Sequence, residues 1–314
     1  MDFIYAVAGL IILLIAGDML VRGAVNLSLR LGIPALIVSL TVVAFGTSAP
    51  ELLVSVSAIY DGAPGLALGN VIGSNTANVL LVLGIPALIS TLHVIDNSTR
   101  ASYLQMIGAT VLFILLALRG RFDWIAGVIL LMALFSMIGH AIYKARCHRV
   151  AQREVAAEEV EGADPDMPWI KIVGFLLVGL IGLPLGADIL VDASTNIARA
   201  FNVSDEVIGL TLVALGTSLP ELATTVMAAL RKQADVAFGN VIGSNMFNLL
   251  GIIGVSSLVG QLPVDKDLMD FDIWVMLGVS LLLGLFVLKR IDITRVWGIV
   301  LSVLYVLYVL AVLG

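Results

Sequence analysis

The sequence predicts an all-α membrane protein: ten transmembrane helices arranged as two inverted-topology repeats of five. Three observations lead there. The 314 residues are 60% hydrophobic and 13% charged, with mean hydropathy +1.08, whereas soluble chains run about 45–50% apolar and about 25% charged. They divide into ten apolar stretches, each near the roughly 20 residues that cross a hydrocarbon core. A shift of 170 residues also lays the sequence on itself without a gap. "AFGTSAPEL" (44–52) meets "ALGTSLPEL" (214–222) with seven of nine identical, and "GNVIGSNTAN" (69–78) meets "GNVIGSNMFN" (239–248) with eight of ten.

The spans read as 3–29, 34–59, 65–91, 101–118, 123–143, 169–198, 206–229, 236–260, 272–288 and 294–313. Residues 144–168 form the one long polar connection and divide the chain into a first repeat (1–143), a linker, and a second repeat (169–314). Five is odd, so the second copy enters the membrane from the opposite side. Inverted repeats of this kind hold substrate and coupling ions near the midplane and alternate access between the two faces.

The N-terminus lacks a basic leader and reads as the first span instead of a cleaved signal. Placing both termini outside puts thirteen Lys and Arg on or near the cytoplasmic side and four outside, the bias that orients membrane proteins. The compact form suggests a plasma (inner) membrane. Cys147 is the single cysteine, so no intrachain disulfide can form. No basic stripe suggests nucleic acid, and the partners expected are the lipid bilayer and ions.

Within its apolar span, "GTSAPE" sets Glu51 directly after Pro50. Intramembrane carboxylates are expensive and functional by default. Thr47 and Glu51 are spaced i, i+4 and share a helix face, with Ala44 and Ser48 flanking it. Pro50 cannot donate to the carbonyl of Gly46. Freed backbone is tolerated at this depth only in protein or beside a cavity. The second copy offers Ala214, Thr217, Ser218 and Glu221. On the other motif, Asn70, Ser74 and Asn78 form a slow stripe repeated by Asn240, Ser244 and Asn248. Gly69 with Gly73, and Gly239 with Gly243, are small-residue pairs suited to close helix approach.

Every candidate ligand here is an oxygen, the choice of hard cations such as Ca²⁺. Soft metals need thiolates or imidazoles, and the motifs hold neither Cys nor His. Two glutamates supply charge −2, which balances one Ca²⁺ or two Na⁺ and favours competition at a shared site.

At these paired motifs the chain resembles the sodium/calcium exchanger family of the Ca²⁺/cation antiporters, over essentially its whole length. The resemblance implies a ten-helix inverted-repeat antiporter that exchanges Na⁺ for Ca²⁺ and needs no cofactor. It implies carboxylate ligands at Glu51 and Glu221, hydroxyl ligands at Thr47, Ser48, Thr217, Ser218, Ser74 and Ser244, backbone carbonyl donors at Ala44 and Ala214, and amide ligands at Asn78 and Asn248. Family members can carry aspartate at the position of Asn248, which bears on ion stoichiometry. It further implies that the first and sixth helices are long, tilted and sliding.

Other readings stay open. The site hydroxyls could bond their own helix carbonyls, and Asn70 and Asn240 could bridge helices. Glu51 and Glu221 could carry protons, making a proton-coupled cation antiporter on the same fold. An intramembrane protease using Asp18 and Asp188 is the enzyme alternative, but no protease-like motif surrounds them. Asp18 and Asp188 read instead as structural or gating residues, so no enzyme is expected.

Overall fold

A computed structural model describes residues 2–94, 97–148, 164, 166–201 and 214–313. Apart from two short strands the described chain is helical. The first half contains α1 (Asp2–Leu31), α2 (Ala35–Thr47), α3 (Ala49–Tyr60), α4 (Pro64–Ile89), α5 (Asn97–Ala117), β1 (Arg121–Phe122) and α6 (Trp124–His148). The second contains α7 (Trp169–Ala200), one helical turn at Ala214–Gly216, α8 (Leu219–Leu230), α9 (Ala234–Val259), β2 (Leu262–Pro263), α10 (Leu268–Lys289) and α11 (Arg295–Leu313).

Among the described residues, eight helices are long and apolar enough to cross a membrane, and α2 with α3, bent by 42°, make a ninth. The span expected at 206–229 is described from Ala214 onward. The helix expected to end at 143 continues to His148, into the stretch read as linker. The rest of that linker, 149–163 and 165, lies outside the described residues.

Burial sorts the helices. In their most apolar stretches α4 and α9 are 72% and 83% buried, against 11% for α11. The two motif-bearing helices therefore form the centre. Leu68, Val71 and Ile72 on α4 and Val241, Ile242, Leu249 and Leu250 on α9 belong to one apolar core. The large apolar side chains left outside, such as Val303, Leu307 and Leu310 on α11, suit a lipid solvent.

Helices α1 and α7, 30 and 32 residues long, lie along each other. Their approach depends on glycine: a Cβ on Gly9 would stand 2.7 Å from Leu190 N, and one on Gly179 would stand 2.6 Å from Leu20 Cβ.

The 170-residue shift is written into the backbone. It carries α3 onto α8 and α4 onto α9 end for end. It also carries the left-handed Gly62 (φ +75°) onto Lys232 (φ +55°), and Gly120 (φ +79°) onto Arg290 (φ +54°). The halves interlock reciprocally: Leu92 bridges to Ile293, while Phe122 of β1 pairs with Leu262 of β2, both antiparallel.

One feature is not duplicated. Asp18 on α1 takes Arg22 at 3.0 Å and Arg231, just beyond α8, as ion-pair partners. The positions 170 residues from these are Asp188, Asp192 and Asp61, all acidic and all exposed. Asp18 thus ties α1 to the second half, and its engagement by two guanidinium groups does not suit a protease dyad with Asp188.

Left-handed backbone strains any residue with a Cβ, by roughly 1–2 kcal/mol, and glycine relieves it. Lys232 is exposed, so Lys232→Gly is expected to raise the thermal unfolding midpoint of the purified protein. A lowered midpoint would show that the lysine side chain outweighs the strain.

Candidate functional site: a buried carboxylate cage

Pro50 sets the local geometry. Inside a continuous helix it would break the ladder; in a first turn its missing N–H is no loss. The chain therefore interrupts itself at Ser48 (φ −87°, ψ 7°) and restarts as α3, with Pro50 and Glu51 in the first turn. Ser218 (φ −87°, ψ 1°) and Pro220 do the same for α8, leaving Glu221 in its first turn. Both carboxylates consequently sit at the positive end of a helix dipole, which favours an anion. Proline and glutamate side by side are one device.

Both glutamates are buried, at 1% and 0% exposure, and the two halves share them. Ser48 of the first half donates to Glu221 Oε1 at 3.0 Å, and Ser244 on α9 approaches the same oxygen at 3.4 Å. Thr47 lies 3.4 Å from Ser244 Oγ and 3.3 Å from Asn240 Oδ1. Asn240 donates in turn to the Glu221 carbonyl at 3.2 Å and to Thr225 Oγ1 at 3.1 Å. Of its two readings, the helix-bridging one holds: Asn240 ties α2, α8 and α9 together. On the other side Thr217 reaches Asn70 Oδ1 at 3.5 Å.

Several of these groups are left unsatisfied. Both oxygens of Glu51, Oε2 of Glu221, Oγ of Ser218, Oδ1 of Asn78 and both amide atoms of Asn248 are buried with no hydrogen-bond partner among the described residues. Ser74 is also buried, at 4% exposure. An isolated buried carboxylate is too costly to persist unpaired, so this arrangement calls for a cation or a proton. Among the described residues no three His, Cys, Asp or Glu side chains cluster as a metal site. The donors are two carboxylates surrounded by hydroxyl and amide oxygens, a set that fits a hard cation.

The two backbone carbonyls expected as donors are bonded differently. Ala44 O already accepts Ser48 N–H at 3.0 Å and the Thr47 hydroxyl at 3.3 Å, which occupies both of its lone pairs. In the second copy Ser218 N–H turns to Leu215 O at 3.0 Å instead of Ala214. The second small-residue pair packs closely. A Cβ on Gly243 would stand 2.7 Å from Leu40 O and Ala44 Cβ, and one on Gly239 would stand 2.8 Å from Leu36 O, whereas Gly69 and Gly73 have nothing within 4 Å among the described residues. The second pair makes its close approach against α2 at the π-helical turn Ser39–Val43. Asn248 lies in another such turn, Phe247–Ile252. Turns of this type are frequent at functional sites, and neither was evident in the sequence. Asn75 and Asn245 were also missed, although their place in both copies of "GSN" was a signal.

Fold and site together define a membrane-type helix bundle whose buried carboxylates and surrounding oxygen donors come from two halves related by the 170-residue shift. Residues 1–143 and 171–314 match the family described as sodium/calcium exchanger protein, and the chain belongs to that family. It is 36% identical over 304 residues to an uncharacterized membrane protein of Methanocaldococcus jannaschii, covering 96% of this chain and 95% of that one. It is 32% identical to a sodium/calcium exchanger of Methanosarcina acetivorans, covering 98% and 97%. The solved sodium/calcium exchanger of Methanococcus jannaschii superposes with a TM-score of 0.83 at 34% identity, covering 98% and 97%. The family and its structural neighbours are transporters, not enzymes.

Gly243→Ala drives a methyl into the backbone of α2 and is expected to abolish transport or folding; wild-type ion flux in vesicles would contradict the packing described.

Proposed function

We propose that this protein is a secondary active antiporter that exchanges Na⁺ for Ca²⁺ by alternating access at one cation cage. The observation that carries this reading is the pair of buried, incompletely bonded carboxylates, Glu51 and Glu221, surrounded by oxygen donors from both halves. Their charge of −2 matches one Ca²⁺ or two Na⁺. The cage is proposed to include Thr47, Ser48, Thr217, Ser218, Ser74, Ser244, Asn78 and Asn248 as neutral donors. Ala214 O is kept as a backbone donor, and Ala44 O joins only if Thr47 turns its hydroxyl toward the ion.

Ten spans in two inverted five-helix repeats, joined by the 144–168 linker with both termini outside a plasma (inner) membrane, are part of the same proposal. Supporting it are the end-for-end correspondence of α3 with α8 and α4 with α9, the odd number of spans per repeat, and the Lys/Arg bias. The glycine-lined contact of α1 with α7 supports a pair of helices that slide as one unit while the site changes sides.

A second reading is favoured by one observation. Both Glu51 oxygens lack partners among the described residues, and a proton would satisfy that carboxyl as well as a cation would. The rival is a proton-coupled Ca²⁺ or cation antiporter on the same fold. Ca²⁺ uptake into proteoliposomes preloaded with Na⁺ separates the two. Uptake that follows the Na⁺ gradient is expected; uptake that ignores Na⁺ and follows a pH gradient would establish the rival. Glu51→Gln and Glu221→Gln are each expected to lower exchange at least about a hundredfold while leaving membrane insertion intact, since each removes a charge the cation needs. Wild-type flux in either variant would remove that glutamate from the mechanism.

A further inference from the structure

The last residues of the repeated "GSN" triplets, Asn75 and Asn245, are each 1% exposed and bond within the protein instead of contributing to the proposed cage. Asn245 Nδ2 donates to the backbone carbonyl of Asn75 at 3.4 Å, and Asn78 Nδ2 donates to Asn245 Oδ1 at 3.0 Å. The direction of this chain is fixed at its end. A backbone carbonyl can only accept, so Asn245 must turn its NH₂ toward Asn75. Its Oδ1 then faces Asn78, and Asn78 must answer with NH₂. The carbonyl oxygen of Asn78 is left pointing the other way, buried and without a partner among the described residues.

We propose that Asn245 is a positioning residue. It sets the amide of Asn78 so that oxygen, not NH₂, is presented to the transported cation. A flipped Asn78 would offer two N–H dipoles, which repel a cation. This inference rests on the proposed function in one respect, that Asn78 is a cation ligand.

The other half holds the same residues without the same bond. Asn75 Nδ2 goes to Met276 Sδ at 3.7 Å, just as Asn245 Nδ2 also reaches Met106 Sδ at 3.8 Å. Asn75 Oδ1 and both amide atoms of Asn248 have no partner among the described residues. These are the two sides of an unmade bond. Asn78 is therefore the fixed amide of the cage and Asn248 the adjustable one, despite their identical place in the repeat.

The test compares Asn245→Leu, close in volume but without hydrogen bonds, with wild type. Ca²⁺ binding is read by calorimetry on purified protein, and Na⁺-driven Ca²⁺ uptake is read in proteoliposomes. Loss of an orienting partner weakens metal binding about 10–100-fold. The dissociation constant and transport KM are expected to rise at least about tenfold, with maximal rate held within about twofold. A carboxylate presents oxygen whichever way it lies, so adding Asn78→Asp to Asn245→Leu is expected to bring affinity back to within about threefold of wild type. Unchanged affinity in Asn245→Leu, or no recovery in the double variant, overturns the proposal.

If Asn245→Leu does not fold, Asn245→Asp takes its place. It still accepts from Asn78, and is expected to bind Ca²⁺ no more than about threefold more weakly; a tenfold loss overturns the proposal. Wild-type protein that binds Ca²⁺ without exchanging it for Na⁺ would sink the exchange reading while leaving the Asn245 comparison intact. Wild-type protein that binds no Ca²⁺ overturns both.

Discussion

Two carboxylates buried inside an apolar bundle are the constraint on which the rest depends. Water cannot reach Glu51 and Glu221 in the described arrangement, and neither is neutralised by a lysine or arginine in the bonds they make. The protein meets this demand in layers. Each glutamate is placed in the first turn of a helix, where the dipole is favourable. The second is also held by hydroxyls from both halves. Apart from the Asn248 amide nitrogen, the cage atoms left unpaired among the described residues are oxygens, which the proposed transported cation completes. An antiporter gains from an incomplete site: a fully satisfied one would have no reason to bind, and a carboxylate with a fixed counter-ion would have no reason to exchange it.

The same demand explains the breaks in the helices. Regular helices consume their backbone groups and point side chains at fixed intervals. Stopping at Ser48 and Ser218, and loosening at Ser39–Val43 and Phe247–Ile252, bring side chains from α2, α3, α8 and α9 to bear on one place. The tight approach of Gly239 and Gly243 to α2 then sets how near the halves come. Peripheral helices such as α11 answer a different demand, offering an apolar face to lipid.

Much of this was legible in the sequence because repetition exposes what a single copy hides. One glutamate after one proline is an anomaly; two at a constant offset, each beside Thr-Ser and near an Asn-Ser-Asn stripe, describe a site. The cross-half bond of Ser48 to Glu221 follows from that logic. What symmetry concealed was where the copies part. Ala44 and Ala214 look equivalent, yet Ser48 and Ser218 turn to different carbonyls. Lys232 takes the backbone conformation of Gly62 although no residue pattern forbids glycine there. Asn245 and Asn75 share a motif but not a bond. These differences arise from tertiary contacts specific to one half, and local sequence carries no trace of them.

A single shared cage has one direct consequence. Ca²⁺ and Na⁺ must compete for the same oxygens, so calorimetric titration of purified protein with Ca²⁺ at rising Na⁺ is the most direct measurement. Expected is one Ca²⁺ per chain, with an apparent affinity that falls steeply as Na⁺ rises while the stoichiometry stays at one. A Ca²⁺ affinity indifferent to Na⁺, or a second Ca²⁺ bound when Na⁺ is removed, would contradict a common site.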